Sequence, residues 1–475
     1  MKYGERRVTV MNEIESAAKT GLRFQCLSFT EVIGQSIANI APSATPAFTI
    51  PAVFVLAANG TWLSYLFATI AVLLVGVHIN CFAKRSASPG ALYTFITDGA
   101  GPATGFISGN GLVLAYLLTA SAVLPPFANF MNVVFGYMGF QIPPVVICLV
   151  GALFGWFVVY KDVKISAKVM LTCEAVSILM IIVLGIIVFA KSNFQLYGNV
   201  VTLRGVSFDN IRLGLVLAFF SFVGFESATA LGKEARNPLR NIPKAVLISG
   251  AVVGTIFVAF SFVEIGGYLT VKGDLSQATA PLNFLAVKNG VAPLGLLISI
   301  GAMISFWSCF VACTTAAARI MHSMSHEKMM PEVFGKVHAQ NQTPYISSTV
   351  LVVVEFAVPA VMLIAKLDPM AIFSYCGTIA TLGFLVSYLL VVIAAPIYLK
   401  KCGQLQAKHI VLAAVTFLVL MIPLIGSVYP IQPFPFFLFP IIFAAWLVIS
   451  AIWYFAVKAR NNAAETVEEE TEMAG

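Results

Sequence analysis

The chain has 475 residues, 59% hydrophobic and only 10% charged, whereas a soluble domain carries about 25% charged residues. This excludes an ordinary soluble enzyme or binding module and describes an all-α polytopic membrane protein whose first partner is the lipid bilayer. The formal net charge of +7 implies no nucleic-acid partner, because the basic residues sit in short loops between apolar stretches, the pattern that orients a membrane protein.

Residues 1–27 are polar over most of their length and lack an apolar run, so no cleavable signal peptide is expected and they are read as a cytoplasmic N-terminal segment. Stretches of spanning length, about 20 residues each, follow at 28–57, 61–83, 102–136, 142–160, 165–190, 211–232, 245–270, 292–320, 345–366, 369–399, 409–428 and 434–457, which is twelve. The first and third are long for one crossing, which predicts a break or a bent approach. Residues 87–100 are read as an interfacial helix. With the N-terminus inside, 22 of the 28 Lys and Arg residues are cytoplasmic, and Lys191, Arg204, Arg212, Lys272, Lys288 and Lys366 face the other side. That asymmetry supports twelve spans with both termini in the cytoplasm of an inner- or plasma-membrane protein. Residues 461–475 carry Glu465, Glu468, Glu469, Glu470 and Glu472 and read as an acidic, solvated cytoplasmic tail. The eight cysteines are scattered and contain no CxxC, so neither a disulfide framework nor a zinc site is expected. His322 and His326 are four apart but lack acid or cysteine partners, so no metal site and no cofactor are expected.

Polar groups interrupt two apolar stretches. In the first, Ser36-Ile37-Ala38-Asn39-Ile40-Ala41-Pro42-Ser43 mixes hydrogen-bonding side chains with a proline that opposes a regular helix. In the sixth, Ser221-Phe222-Val223-Gly224-Phe225-Glu226-Ser227 places a carboxylate at bilayer depth, at an insertion cost of roughly 2.5–3.5 kcal/mol. Interrupted helices at corresponding positions of two halves point to a transporter site, with free backbone N–H groups for an anionic substrate end. Each interruption also has a plainer reading, a proline kink in the first and a structural acid in the sixth. Glu226 is the prime candidate for ion coupling, whether by taking a proton, meeting a substrate amine or bracing the break. Phe220, Phe222 and Phe225 either gate a cavity or simply pack. Glu174, beside Thr172 and Ser177, is a second coupling candidate, and Glu264 and Glu355 are further buried acids. No Lys or Arg lies in the core of any span. In the eighth stretch Ser305, Ser308, Cys309, Thr314 and Thr315 supply hydroxyls and a thiol, and Thr314 with Thr315 form a possible sodium site or a small-residue packing face.

These residues resemble a family. Ser221 to Ser227, followed by Glu234, Asn237-Pro238 and Asn241-Ile242-Pro243-Lys244, is similar to the sixth-segment signature of the amino acid–polyamine–organocation (APC) permeases. Arg319-Ile320-Met321, Pro331, Phe334, Val337-His338 and Thr343-Pro344 resemble that family's loop after segment 8, and Pro89-Gly90, Tyr93 and Gly105-Phe106 its approach to segment 3. The resemblance implies a five-plus-five inverted repeat over residues 28–400 with broken helices 1 and 6, and peripheral helices 11 and 12 over 401–460. It implies alternating access for an amino acid, polyamine or related amine, by proton or sodium symport or by exchange. Ser36, Ile37, Ala38, Asn39, Ile40, Ala41 and Ser43 would then hold the substrate's carboxylate end, and Phe220, Ser221, Phe222 and Gly224 its amine and side chain.

The chain departs from the family pattern twice. Ala38-Asn39-Ile40-Ala41-Pro42-Ser43 replaces the glycine-rich run of many amino acid members and looks more like a putrescine-importing branch. The mid-segment lysine of some proton-coupled members is absent from segment 5, leaving Glu226, Glu174 or sodium for coupling. The reading is therefore an amino acid importer, with proton symport favoured by elimination and family frequency. Its alternatives are a polyamine or amine importer, an exchanger, or a non-transporting nutrient sensor on the same fold.

Overall fold

The computed structural model describes residues 21–161, 163–192, 198, 200–203 and 205–474. The first 20 residues, Arg204, and the side chains of Lys164, Lys168, Cys173 and the acidic residues at 465–472 lie outside the described residues. The described chain is helical. Ten stretches are long and apolar enough to cross a membrane, the first of them running from Phe29 to Ala83.

That first stretch is three helices: α1 (Phe29–Ile40), α2 (Ile50–Ala57) and α3 (Thr61–Ala83). Serine and glutamate fix the start of α1. The backbone N–H and hydroxyl of Ser28 both donate to Glu31, at 2.6 and 2.8 Å, a reciprocal cap at the positive end of the helix. Ala41 ends it in the left-handed region, at φ 52°. Proline at 42 cannot continue the ladder, and a wide turn over Thr45–Thr49 carries the chain into α2.

The interfacial helix expected at 87–100 is α4 (Leu92–Ala100). The core of the bundle is α5 (Pro102–Gly136), which packs on α11 (Ala292–His326) and α13 (Pro369–Lys401). Around it lie α6 (Pro144–Lys161), α7 (Val163–Lys191), α8 (Phe208–Phe220), α9 (Pro238–Val271), α10 (Pro281–Lys288), α12 (Tyr345–Ile364), α14 (Ala407–Gly426) and α15 (Leu438–Ala474). Prolines at the first or second position of α5, α9, α10, α11 and α13 fall where the missing N–H costs nothing. The last helix runs through the acidic segment to Ala474.

The sixth apolar stretch is short of a continuous span. Helix α8 stops at Phe220, a turn covers Ser221–Glu226, and a short 3-10 helix follows at Ser227–Leu231.

Apolar side chains face outward as well as inward. Val150, Phe154, Val411, Leu418, Ile441 and Ile452 are exposed on α6, α14 and α15, as a lipid-facing surface requires. Polar groups such as Gln35, Asn39, Glu226 and Arg319 are buried instead.

One end of the bundle is fastened by an ion pair. Arg319 on α11 and Glu234, just past the sixth stretch, are both 1% exposed and meet at 2.7 Å. A second guanidinium nitrogen donates to Glu234 at 2.8 Å, and a third to the Thr315 carbonyl at 3.0 Å. The turn that carries Glu234, through Lys233, Glu234 and Arg236, exchanges backbone hydrogen bonds with Gln25 and Leu27 ahead of α1. Nearby, Tyr93 donates to Glu327, whose carboxyl burial pushes above the usual range. Replacing Glu234 with Ala leaves a buried guanidinium unpaired and is expected to destabilise the fold by about 3–5 kcal/mol. Thermal unfolding of the purified variant checks this.

Candidate functional site

Two helices stop inside the bundle, and they stop against each other. Ser36 Oγ accepts a hydrogen bond from the Ala228 N–H at 3.2 Å, and Ser227 Oγ donates to the Gln35 carbonyl at 3.3 Å. The broken sixth stretch is thus sewn to α1 by side chains that stand in for missing helical partners. Gln35 Nε2 ties the same turn to the Ala312 carbonyl on α11 at 2.9 Å.

Between the two breaks lies a cavity of about 30 Å³, room for one or two waters at about 10–15 Å³ each. Asn39, Ile40, Ala41, Thr45, Thr49, Thr119, Phe220, Ser221, Phe306, Cys309 and Phe373 are among its lining residues, and none of the lining residues is Asp, Glu, Lys or Arg. Phenylalanines close it on one side. Phe48 packs edge-on against Phe306 at 5.6 Å and Phe373 at 5.2 Å, Phe220 against Phe373 at 5.3 Å, and Phe130 stacks on Phe306 at 6.0 Å. Each comes from a different element: the wide turn, α5, α8, α11 and α13. A substrate larger than water requires these rings to part.

The residues expected to contact substrate divide. Asn39, Ile40, Ala41, Phe220 and Ser221 line the cavity. Ser36 is spent on Ala228, and the Ile37 carbonyl accepts from the Ala41 N–H at 3.1 Å. Ala38 is fully buried and, like Ile37, is not in the lining. Ser43 turns to Glu174, and Phe222 packs on Phe257 at 5.1 Å. Phe225 lies against Tyr388 at 5.5 Å. Gly224 stands directly against the side chain of Asn39 and has φ +81°.

Asn39 is held by thiols. Cys309 Sγ donates to its carbonyl at 3.1 Å and Cys313 Sγ to its Oδ1 at 2.9 Å.

The acids occupy separate niches. Glu226 is fully buried and accepts from Tyr116 Oη at 2.6 Å and Tyr388 Oη at 2.5 Å. It joins the break to α5 and α13 rather than lining the cavity. Glu174 on α7 accepts from Ser43 Oγ at 2.9 Å, just ahead of the second half of the first broken helix, where a negative charge suits the helix start. Thr314 donates to Glu355 on α12 at 2.7 Å, and the Thr315 carbonyl accepts from Arg319. The described ion pairs, Arg212–Asp209 and Arg319–Glu234, involve none of Glu174, Glu226, Glu264 and Glu355.

Sequence reasoning did not single out Tyr116, Tyr388, Thr119, Phe48, Phe130, Phe306 or Phe373. Each is a common residue inside an apolar run and has no local signal. It is their convergence from distant elements that makes a site.

The profile of the amino acid permease family matches residues 31–462. The branched-chain amino acid permease BcaP of Bacillus subtilis (strain 168) is 22% identical over 436 residues, 86% of this chain and 88% of that protein. Cationic amino acid transporter 4 of Mus musculus is 24% identical over 399 residues, 79% of this chain and 61% of that protein. The low-affinity putrescine importer PlaP of Escherichia coli (strain K12) is 24% identical over 300 residues, 59% of this chain and 63% of that protein.

At Gly224 a side chain is excluded twice. A left-handed backbone costs a non-glycine residue roughly 1–2 kcal/mol, and an added Cβ would come within 2.6 Å of Asn39 Oδ1. Gly224→Ala is expected to lower thermal stability by about that amount or more and to displace Asn39. The checks are thermal unfolding and uptake of the variant in proteoliposomes.

Proposed function

The chain belongs to the amino acid permease family, and on that footing we propose that it is a secondary active transporter importing an amino acid by proton symport and alternating access. The reading takes Phe29–Ala83 as two crossings and the broken Phe208–Leu231 stretch as one more. The ten candidate spans thereby become twelve, with both termini cytoplasmic in the plasma membrane. The two breaks then stand at corresponding positions of a five-plus-five inverted repeat, with α14 and α15 outside it.

The observation that carries the substrate reading is a cavity at two helix breaks whose lining holds no charged side chain. A zwitterion suits such a place. Its carboxylate goes to the positive start of the second half of the first broken helix, and its amine to the carbonyl end of α8 at Phe220. Asn39, Ile40, Ala41, Phe220 and Ser221 form the contact set. A second cationic group on the substrate would find no counter-charge there and would cost several kcal/mol if buried unpaired. An aliphatic or otherwise uncharged side chain is therefore favoured. The amine-importer reading is supported by Pro42 and Ser43 standing where a glycine-rich run would serve an α-carboxylate.

Proton coupling is supported by the buried acids Glu174, Glu226, Glu264 and Glu355. Coupling requires an ion to bind the outward and inward states differently. Glu226 bridges three elements through two tyrosines, and Glu174 touches the first break, so both are placed to feel a change between those states.

Uptake into proteoliposomes of labelled leucine, lysine and putrescine, under imposed proton or sodium gradients, tests the reading. Leucine accumulation driven by a proton gradient is the expected result. Putrescine uptake alone would move the assignment to amines, and sodium-driven accumulation would replace the coupling ion. Glu226→Gln is expected to abolish concentrative uptake while the protein stays folded and inserted. Normal accumulation by that variant would remove Glu226 from the mechanism.

A further inference from the structure

Glu264 has no part in the reading so far. It lies in the last third of α9, fully buried, and neither carboxyl oxygen has a hydrogen-bond partner. Glu174, Glu226 and Glu355 each accept from at least one hydroxyl. An orphaned buried carboxyl calls for a physical reason.

Helix register supplies the surroundings. Gly254 of α9 lies against Thr69 of α3, and the Phe257 ring is 5.5 Å from Tyr65. Two turns beyond Phe257, Glu264 returns to the same face and comes opposite the start of α3. There Trp62 stacks on Phe262 at 5.2 Å, and its indole N–H is also buried without a partner. Tyr65 Oη lies 3.3 Å from Ser221 Oγ, and Ser221 lines the substrate cavity. One tyrosine thus stands between the helix face that carries Glu264 and the cavity.

No cation in the described residues answers Glu264. Lys191 of α7 donates to the Asn289 carbonyl at 2.6 Å. Lys288 of α10 lies over the Phe284 ring at 5.5 Å. Asp274 accepts from the Ser276 N–H at 2.9 Å. On α3, His78 meets Thr416, and on α1, Glu31 caps the helix. Arg240 and Lys244 of α9 lie at its opposite end, and Lys272, just past its near end, is exposed. Tyr268, one turn beyond Glu264, shares its face of α9, and Tyr65 of α3 packs on that face at Phe257.

We infer that Glu264 is a proton-binding site whose occupancy is linked to substrate binding across Tyr65 and Ser221. The inference rests on the proton-coupled reading above and names the group that carries the proton. When the cavity is open to the outside, the carboxylate takes one proton from water and becomes a neutral acid, with no other bond made or broken. The bundle then closes around a group that needs no counter-charge, whereas a buried unpaired carboxylate opposes closure. Opening on the other side rehydrates the carboxyl and lets the proton leave with the substrate. Because substrate favours the protonated form, affinity is full at low pH and is lost as pH rises through the titration.

Two readouts on the full chain in lipid nanodiscs test this. The first is an infrared pH titration without substrate, following the protonated-carboxyl C=O band. The second is labelled-leucine binding against pH. In the unmodified protein, leucine affinity falls about tenfold per pH unit above the titration, the slope of one linked proton. Glu264→Gln, a mimic of the protonated acid, removes the titrating band and flattens the profile to within about twofold while keeping low-pH binding. A variant that keeps the band or the slope overturns the inference. If Glu264→Gln does not fold, Glu264→Asp decides: a shifted band and slope support the site, and unchanged ones overturn it. If the protein binds neither leucine, lysine nor putrescine at any pH, yet loses the band in Glu264→Gln, the proton site stands and the transport reading fails.

Discussion

A helix that stops inside a membrane leaves backbone N–H and C=O groups that lipid cannot satisfy, and this protein stops two of them. The bundle answers by setting the breaks against each other. Ser36 and Ser227 exchange hydrogen bonds with Ala228 and Gln35, and backbone hydrogen bonds between Leu27 and the turn at Lys233–Arg236 add to the pairing. Neither break is tenable alone. Helix α1 and the continuation of the sixth stretch therefore pack as one unit, while α2 and α8 pack as a second. The cavity is the seam between these units, which explains both its position and its small size.

The two ends of the seam are closed by different chemistry. On one side phenylalanines from five elements interlock, a contact without direction that can part and reform as rings turn. On the other, Arg319 and Glu234 make a bidentate pair in near-complete burial, a contact with one good geometry and a high cost for losing either partner. Both ends are shut, and a substrate-sized cavity needs one of them to open. Ion pair and aromatic cluster share α11, which carries Phe306, Arg319 and, between them, the thiols that hold Asn39. Movement of that helix would reach all three.

The buried acids differ in what they hold. Glu226 is an anchor between three elements, with both oxygens used. Glu174 and Glu355 each meet a hydroxyl on a neighbouring helix, one at the first break and one on α11. Glu264 meets nothing. Four carboxyls at comparable burial thus span the range from fully bonded to orphaned, and that range separates bracing groups from groups free to change state.

The sequence by itself determined that the chain lives in a membrane, roughly where its apolar stretches begin and end, and where helices break. Those features are local: a carboxylate in an apolar run, a proline after Asn39 and Ala41, a cap at Ser28. The family signature was legible for the same reason, since each of its motifs, Asn237-Pro238 with Asn241-Ile242-Pro243 and the run that follows Arg319, is a short local stretch of the chain. Only the tertiary structure decided which residues of each interruption face the cavity. Ser36, Ser43 and Phe222 carry the right chemistry at the right place, but helix rotation and pairing commit them to Ala228, Glu174 and Phe257. Only tertiary structure, too, brought Tyr116 and Tyr388 to Glu226, across sequence separations of 110 and 162 residues, and left Glu264 with no partner. A pattern of residue types fixes what a segment can form; which neighbour meets each polar group depends on how distant helices dock, and no local spacing encodes that.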